Sequence, residues 1–203
     1  MHKNNYLDFT KTKFVNNPYK YIVVQNVFNP KFATLLLEWF QKTNNFNKFN
    51  ESGYKNSIFH ISKNTLPSNI EELINLENLK FLKGELEFAF KVKFTDDILI
   101  SAQKYLPGDG TLIHNDYYEN SDDAFHFTHR FFVYLNSEWI KDNGGILGIF
   151  KENNVNSLVE EVYPYHNWGV GIEFEKNSWH AVSAIKKGER FAIHFDFKKK
   201  EGE

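Results

Sequence analysis

The chain has 203 residues, 41% of them hydrophobic, and a formal net charge of -2, which suits one domain with its own core and argues against nucleic acid as a partner. Cysteine is absent, so disulfide frameworks and thiolate metal sites are excluded, and any metal has to be held by histidine and carboxylate. The N-terminus lacks the apolar run of a signal peptide and no stretch approaches the ~20 apolar residues of a membrane span, so a cytoplasmic location without membrane contact is expected.

The first part of the chain predicts a polar arm, a strand and a helix. Residues 1–18 are polar and end at a proline, and we interpret them as a loosely attached arm. The run at 21–27 is rich in β-branched residues and predicts a strand. Asn29 and Pro30 supply a cap and a first helical residue, and apolar residues at helical spacing continue to about Thr43, which predicts an amphipathic helix.

The following segment predicts a long loop and then a second helical region. Residues 44–65 are rich in asparagine and serine, and we interpret them as a loop with one short strand at 57–61. Apolar residues recur over 70–90, after Pro67, and predict helices. A break in this helical region is expected at Gly84, because glycine weakens a helix interior.

From Asp97 onward the pattern changes to short β-rich runs separated by turn signals. Strands are predicted at 98–106, 111–117, 129–136, 145–150, 158–163, 169–174, 180–185 and 189–197. Such strands after a helical layer predict an α+β, mainly β fold: a double-stranded β-helix (jelly roll) with N-terminal helices packed on one sheet. We expect a single domain over 1–203, with a helical N-terminal layer at 1–95 and a jelly-roll core at 96–198.

His114 and Asp116 are the first candidate metal ligands. Residues two apart in a strand project from the same face, so a strand at 111–117 would present an imidazole beside a carboxylate. His180 begins a later predicted strand and offers a third ligand atom. Two histidines and one carboxylate form the facial triad that holds non-haem Fe(II) and leaves positions open for chemistry.

Arg190 is a candidate anchor for an organic acid. It lies ten residues after His180 and opens the last predicted strand. A guanidinium grips a carboxylate through two parallel hydrogen bonds, so an arginine deep in a jelly roll suits a dicarboxylate. Each of these residue types alone is common for structural reasons, but a His-x-Asp pair, a distant histidine and then an arginine form a more specific combination.

Three blocks of sequence carry a resemblance to a known family. They are YLPGDGTLIHND at 105–116, RFFVYLNSEW with DNGGILGIF between 130 and 150, and WHAVSAIKKGERFAIHF at 179–195. These blocks resemble the Fe(II)/2-oxoglutarate-dependent oxygenases, especially the prolyl-4-hydroxylase-like group, which includes the hypoxia-sensing and the ribosomal prolyl hydroxylases. The resemblance covers residues 101–197, and no motif carries it into the helical N-terminal half.

The resemblance implies a role for each matching residue. The iron ligands would be His114, Asp116 and His180. Arg190 would pair with the distal carboxylate of 2-oxoglutarate, Tyr134 would donate its hydroxyl to the same carboxylate, and Tyr105 would line the pocket beside it. The implied cofactor is Fe(II), the implied cosubstrates are 2-oxoglutarate and O2, and ascorbate is expected to stimulate the reaction.

The last strand departs from the family pattern, because relatives often carry a tryptophan late in this strand. Here Arg190, Ala192, His194 and Asp196 share one face by alternation. We therefore expect His194 and Asp196 either on the substrate side of the pocket or as a plain buried pair. His126 lies in an acidic stretch that would form either a lid over the substrate or a solvated loop.

The reaction that the resemblance implies is hydroxylation of an unactivated C–H bond. A prolyl residue of a protein or peptide is the expected substrate, and a free amino acid or another small molecule is the alternative within the same class. A jelly roll that binds a metal or an organic acid without turnover is the alternative from another class. The sequence leaves the substrate and the oligomeric state open.

Overall fold

The computed structural model describes residues 1–51, 53–119 and 127–200. Within these ranges the helices are α1 (Pro30–Lys42) and α2 (Leu76–Phe90), with 3₁₀ turns at Ser68–Ile74, Lys141–Asn143 and Val155–Ser157. The strands are β1 (Thr12–Val15), β2 (Tyr21–Gln25), β3 (Asn47–Glu51), β4 (Tyr54–His60), β5 (Phe94–Tyr105), β6 (Gly110–Thr111), β7 (His129–Tyr134), β8 (Leu147–Phe150), β9 (Leu158–Val162), β10 (Trp168–Glu173), β11 (His180–Val182) and β12 (Arg190–Lys199).

The strands form two antiparallel sheets. The larger sheet has the order β1-β2-β10-β7-β12-β5-β4-β3, with β6 paired to β4, and the smaller sheet has the order β11-β8-β9. Side chains of both sheets, among them Tyr105, Phe132 and Leu147, pack in one cluster between them. The mainly β jelly roll expected from the sequence is confirmed.

Strand β12 divides its side chains between the two faces of the larger sheet. Phe191, Ile193 and Phe195 belong to the core that also contains residues of α1 and α2, whereas Ala192 belongs to the cluster between the sheets. The helices therefore cover the outer face of the larger sheet, as the sequence predicts. Alternation then directs the even-numbered residues of β12 toward the smaller sheet, where the candidate site lies.

Each α-helix begins after an asparagine cap. The Asn29 side chain accepts a hydrogen bond from the backbone N–H of Lys31 at 3.0 Å, so the predicted first helix is confirmed. The Asn75 side chain accepts one from Glu77 at 2.9 Å. The break expected at Gly84 is wrong, because α2 runs through it and a Cβ there would meet nothing within 4 Å.

The N-terminal arm is packed, and the expectation of a loose arm is wrong. Strand β1 pairs with β2, while Leu7 and Phe9 are 5% and 0% exposed. The Phe9 ring lies 6.4 Å from that of Phe81 in α2 and 5.4 Å from that of Phe131 in β7. Isolated apolar side chains in a polar segment thus close the gap between helix and sheet.

The predicted loop at 44–65 is also corrected, because most of it is the hairpin β3–β4. The short strand expected at 57–61 falls within the part of β4 that pairs with β5. Strands β1 to β4 extend the larger sheet, so the first 95 residues form a mixed layer and not a purely helical one. The single-domain organisation stays a prediction, although Leu36 of α1 and Phe195 of β12 share one core.

The strand predicted at 111–117 is the largest error in the second half. It shrinks to β6 and an isolated bridge between His114 and His180. The backbone N–H of Leu112 bonds to Gly53 in the β3–β4 turn, whereas His114 bonds to His180. The segment therefore changes partners and forms no continuous ladder. The other predicted strands of this half are present with shifted ends.

In the described ranges, no helix has the length and apolar character needed to cross a membrane.

Candidate active site

His114, Asp116 and His180 converge beside the cluster between the sheets. Their candidate ligand atoms lie within 4.8 Å of one another. Asp116 Oδ1 lies 4.0 Å from His114 Nε2, and Asp116 Oδ2 lies 3.6 Å from His180 Nε2. Two imidazole nitrogens and one carboxylate at these separations suit a single divalent cation.

The backbone brings the two histidines together as a hydrogen-bonded antiparallel pair. The His114 N–H donates to the His180 carbonyl at 3.0 Å, and the His180 N–H donates to the His114 carbonyl at 2.9 Å. Asp116 follows in a segment outside the strands. The predicted proximity of His114 to Asp116 is therefore correct, but alternation along a strand is not its cause.

Both histidines are held in the tautomer that a metal requires. His114 Nδ1 donates to the Leu112 carbonyl and His180 Nδ1 donates to the Ser178 carbonyl, each at 2.8 Å. A carbonyl only accepts, so each Nδ1 carries a proton, and in the neutral imidazole Nε2 then keeps the lone pair that binds a metal. Backbone partners of this kind orient histidine ligands in metal sites.

The protonation states also favour a metal. Burial and the neighbouring His180 lower the pKa of His114 to about 4, so the imidazole is neutral at pH 7. Burial works to raise the pKa of the Asp116 carboxyl, but the Arg130 guanidinium and His180 hold it well below its usual range. Asp116 is thus an anion beside the neutral imidazole of His114, as the donor set of the predicted triad requires.

Arg190 lies between two tyrosine rings at the other end of the inward face of β12. Its guanidinium carbon is 4.8 Å from the ring centre of Tyr105 and 4.7 Å from that of Tyr134. Arg190 is 2% exposed and Tyr134 is 0% exposed. Burial raises the pKa of Tyr134 to about 12, so its hydroxyl remains a hydrogen-bond donor at neutral pH.

A cavity of about 60 Å³ joins the two ends, since its lining includes Arg190, Tyr105, His114 and His180. Among the described residues, four polar atoms in or beside its lining are buried without a hydrogen-bond partner: Asn56 Oδ1, Tyr134 Oη, Arg190 Nε and His194 Nδ1. Buried polar groups are normally paired. Unpaired donors at the arginine end therefore fit a bound carboxylate, while the histidine end fits a metal ion.

Tyr105 lines the cavity, as predicted, and its hydroxyl is tied to neighbouring amides. It donates to Gln103 Oε1 at 3.1 Å and accepts from Asn56 Nδ2 at 3.3 Å. Tyr54 was not predicted, yet its ring lies 4.5 Å from the ring of His114. Asn56 and Tyr54 belong to the hairpin that the sequence left as a loop, which explains why neither was found.

His194 and Asp196 both point inward, in agreement with the predicted alternation. His194 lines the cavity and stacks on Phe132, with ring centres 5.2 Å apart. Asp196 does not pair with His194; its Oδ1 accepts a hydrogen bond from Arg130 Nε at 2.6 Å. The predicted buried pair is therefore replaced by a different ion pair. His126 lies outside the described residues.

Arg130 is the main site residue that sequence reasoning missed. Its Nη1 donates to Asp116 Oδ2 at 3.1 Å, and its Nε donates to Asp196. Two signals in the sequence could have indicated it. Arg130 shares the alternation parity of Tyr134 on β7, and the sequence contains only two arginines, Arg130 and Arg190.

Comparison with known families agrees with this geometry. The family described as the 2OG-Fe(II) oxygenase superfamily matches residues 100–198, which include both histidines, Asp116 and Arg190. Residues 100–198 belong to the 2OG-Fe(II) oxygenase superfamily. No curated protein sequence matches the chain.

Solved structures similar to this oxygenase include three prolyl hydroxylases. A prolyl-4-hydroxylase of Pseudomonas putida has a TM-score of 0.71 at 18% identity, covering 89% of this chain and 92% of that one. A Trichoplax adhaerens prolyl hydroxylase, in complex with a hypoxia inducible factor oxygen degradation domain peptide fragment, has a TM-score of 0.63 at 15% identity, covering 88% of this chain and 83% of that one. The viral collagen prolyl hydroxylase of Paramecium Bursaria Chlorella virus-1, as a 2OG complex, has a TM-score of 0.60 at 14% identity, covering 87% of this chain and 94% of that one.

At these identities the likeness to solved structures shows a shared fold. Family membership adds the chemistry: the chain is a 2-oxoglutarate-dependent dioxygenase, with Fe(II) as cofactor and 2-oxoglutarate and O2 as cosubstrates.

Proposed function

We propose that this dioxygenase hydroxylates a prolyl residue of a protein or peptide, with His114, Asp116 and His180 as iron ligands. One observation carries the residue assignment: the three ligand atoms lie within 4.8 Å of one another at one end of a cavity whose other end holds Arg190. When bound, iron and 2-oxoglutarate supply the oxidation of a substrate C–H bond by O2, with release of succinate and carbon dioxide.

The protein side chains contribute binding and orientation. Arg190, fixed between Tyr105 and Tyr134, offers a buried cation for the distal carboxylate of 2-oxoglutarate, and the Tyr134 hydroxyl offers a second donor. Alternation along β12 and β7 directs both side chains to the inward face of the larger sheet, where Arg190 lines the cavity. The Nδ1 bonds of His114 and His180 keep both Nε2 atoms available to the metal.

Exclusion of water at the arginine end follows from burial. Arg190 and Tyr134 are 2% and 0% exposed, so a carboxylate bound there would exchange water for protein donors in a site of low dielectric constant. Such a site strengthens charge-assisted hydrogen bonds. At the metal end, His114 and Asp116 each keep 15% of the side chain exposed, which leaves a path for a substrate.

Support for a prolyl substrate comes from the similar structures. The Pseudomonas protein is a prolyl-4-hydroxylase, and the Trichoplax enzyme is in complex with a peptide. A free amino acid or another small molecule remains the alternative, since His194 and the Arg130–Asp196 pair make the inner wall polar. His194 is proposed as a substrate-side residue because it lines the cavity with an unpaired Nδ1. The cytoplasmic location and the stimulation by ascorbate stay predictions from the sequence.

The test combines substrate discovery with site variants. The full-length protein, loaded with Fe(II) and 2-oxoglutarate, is incubated in air with a panel of proline-containing peptides and free amino acids. We expect a peptide to gain one oxygen atom, located at proline by tandem mass spectrometry, with one succinate formed per product. A gain of oxygen by an amino acid alone would contradict the peptide assignment.

H114A, D116A and H180A should each abolish both product and substrate-dependent succinate. Y163F, which alters a half-buried tyrosine whose hydroxyl bonds to Glu161, is the control and should retain full activity. Wild-type turnover in D116A or H180A would overturn the assignment of the iron ligands.

A further inference from the structure

Arg130 connects an iron ligand to a second, more deeply buried carboxylate. Its Nη1 lies 3.1 Å from Asp116 Oδ2 and its Nε lies 2.6 Å from Asp196 Oδ1. The Asp116 and Asp196 side chains are 15% and 5% exposed, and the Arg130 side chain is 26% exposed. One guanidinium therefore serves two carboxylates, through nitrogen atoms on different edges.

Two neighbouring side chains fix the position of the Arg130 guanidinium. Asp196 on β12 pairs directly with Arg130 on β7 in the sheet register, so the two side chains are cross-strand neighbours on the inward face. The guanidinium carbon also lies 5.3 Å from the ring centre of Phe174. Asp116, in contrast, lies outside the strands, and its backbone has no ladder to set the direction of its carboxylate.

The charges explain why Asp196 is needed. A guanidinium beside an iron ligand repels a divalent cation and competes with it for the Asp116 carboxylate. A second carboxylate on the same guanidinium cancels that charge and holds the planar group in place. Without Asp196, Asp116 would be the nearest anion for the half-buried Arg130, and metal binding would have to break that ion pair.

The residue type is consistent with this role. The sequence has only two arginines, although lysine is abundant, and both arginines line this cavity. A lysine could supply the positive charge, but only the planar guanidinium can donate to two carboxylates in fixed directions.

We propose that Arg130 and Asp196 are positioning residues for the metal ligand Asp116. Asp196 restrains Arg130 so that it takes a single bond to Asp116 Oδ2, which leaves Asp116 Oδ1 free for the metal. This inference rests on the proposed iron site, and it adds to that site a neutral ion pair that sets its affinity for the metal.

The test measures Mn(II) binding to the metal-free full-length protein without 2-oxoglutarate, by the loss of the free-ion signal in electron paramagnetic resonance. We expect D196N to bind Mn(II) about tenfold or more weakly, and R130Q/D196N to recover at least half of the loss on a logarithmic scale. D196E should recover part of it. D96N, which breaks the 2.6 Å Lys83–Asp96 ion pair outside the site, is the matched control and should bind as the wild type does.

If the Arg130–Asp196 ion pair were merely structural, R130Q/D196N would not recover Mn(II) affinity. Wild-type affinity in D196N, or equal affinities in D196N and R130Q/D196N, would overturn the inference. D116A and H180A separate this from the parent proposal: if they bind Mn(II) as the wild type does, the iron site itself is wrong. If D196N does not unfold cooperatively, R130K and R130Q are compared instead. We expect R130K to bind Mn(II) at least tenfold more weakly than R130Q. Equal Mn(II) binding by the two variants would contradict the proposal.

Discussion

The guanidinium carbon of Arg190 lies 4.7 Å from the ring centre of Tyr134, yet the Tyr134 hydroxyl and Arg190 Nε are both buried without a hydrogen-bond partner among the described residues. Two donors are thus oriented by an aromatic contact and left unsatisfied. An acceptor that reaches both would remove the cost of burying them. The distal carboxylate of 2-oxoglutarate carries the charge of such an acceptor, and we propose that it binds here.

We therefore predict that R190K weakens 2-oxoglutarate binding by roughly 10- to 100-fold, because lysine cannot reproduce a paired interaction worth about 1.5–3 kcal/mol. Y134F removes one neutral donor and should weaken binding by roughly 2- to 10-fold. Anaerobic titration of the Fe(II) protein with 2-oxoglutarate, followed by visible absorption, measures both effects. Unchanged binding in R190K would show that the anchor lies elsewhere.

Gly145, in the adjoining loop, leaves the space that the Arg190 side chain occupies. A Cβ at Gly145 would come within 2.8 Å of Arg190 Cδ and 2.4 Å of Ile185 Cδ1, and φ is +65°. G145A should cost about 1–3 kcal/mol of folding stability and should also weaken 2-oxoglutarate binding, because Arg190 has to move. Thermal unfolding and the same titration provide the measurements.

G84A is the matched control, since a Cβ at Gly84 in α2 would meet nothing within 4 Å. It should stabilise the protein by up to about 1 kcal/mol and leave 2-oxoglutarate binding unchanged. Stability loss without a binding defect in G145A would mean that Gly145 does not position Arg190.

The chemistry of the site was more predictable than its backbone. His114, Asp116, His180 and Arg190 can be proposed from the sequence because their residue types and spacing, together with the three resembling blocks, indicate the chemistry. The strand that was to present His114 was wrong, since Leu112 and His114 bond to different partners and only the tertiary structure decides this. Arg130 was missed for the same reason: a lone arginine in a strand does not reveal which carboxylates face it.

The N-terminal half shows the other limit. Helix α1 was predictable from its cap and its apolar spacing, which are local features. Leu7 and Phe9 stand singly in a polar arm, and hairpin β3–β4 has no clear alternation, so burial and pairing in both are set by distant partners. Local propensity cannot predict such contacts.

Phe9 should be a major stabilising residue despite its place near the N-terminus. It is 0% exposed and contacts Phe81 and Phe131. We predict that F9A lowers the free energy of unfolding by about 3–5 kcal/mol, the range for truncation of a buried phenylalanine. Urea denaturation measures this. F14A, at a phenylalanine that is 48% exposed on β1, is the control and should cost far less; equal losses would contradict a packed arm.

His129 should make stability depend on pH. It is 2% exposed, with its ring centre 4.9 Å from those of Phe90 and Phe94. Glu173 lies 3.7 Å from its Nε2, but Lys20 pairs with that carboxylate at 3.0 Å. Burial consequently dominates and lowers the pKa of His129 to about 3.

An unfolded histidine titrates near ~6.5, so the unfolded chain takes up a proton that the folded chain refuses until the pH is close to 3. The stabilisation that the neutral, buried His129 contributes is complete above pH ~6.5. It is lost as the pH falls from there toward the pKa of the folded state, by up to about 1.4 kcal/mol per pH unit. Urea unfolding of the metal-free protein is measured at several pH values between roughly 7 and 4, within the window given by the two pKa values. The slope, which is the loss of unfolding free energy per unit fall in pH, should be smaller in H129F than in the wild type. F14A, at an exposed phenylalanine that does not titrate, is the control with the wild-type slope, and an unchanged slope in H129F would exclude His129 as a source of the acid sensitivity.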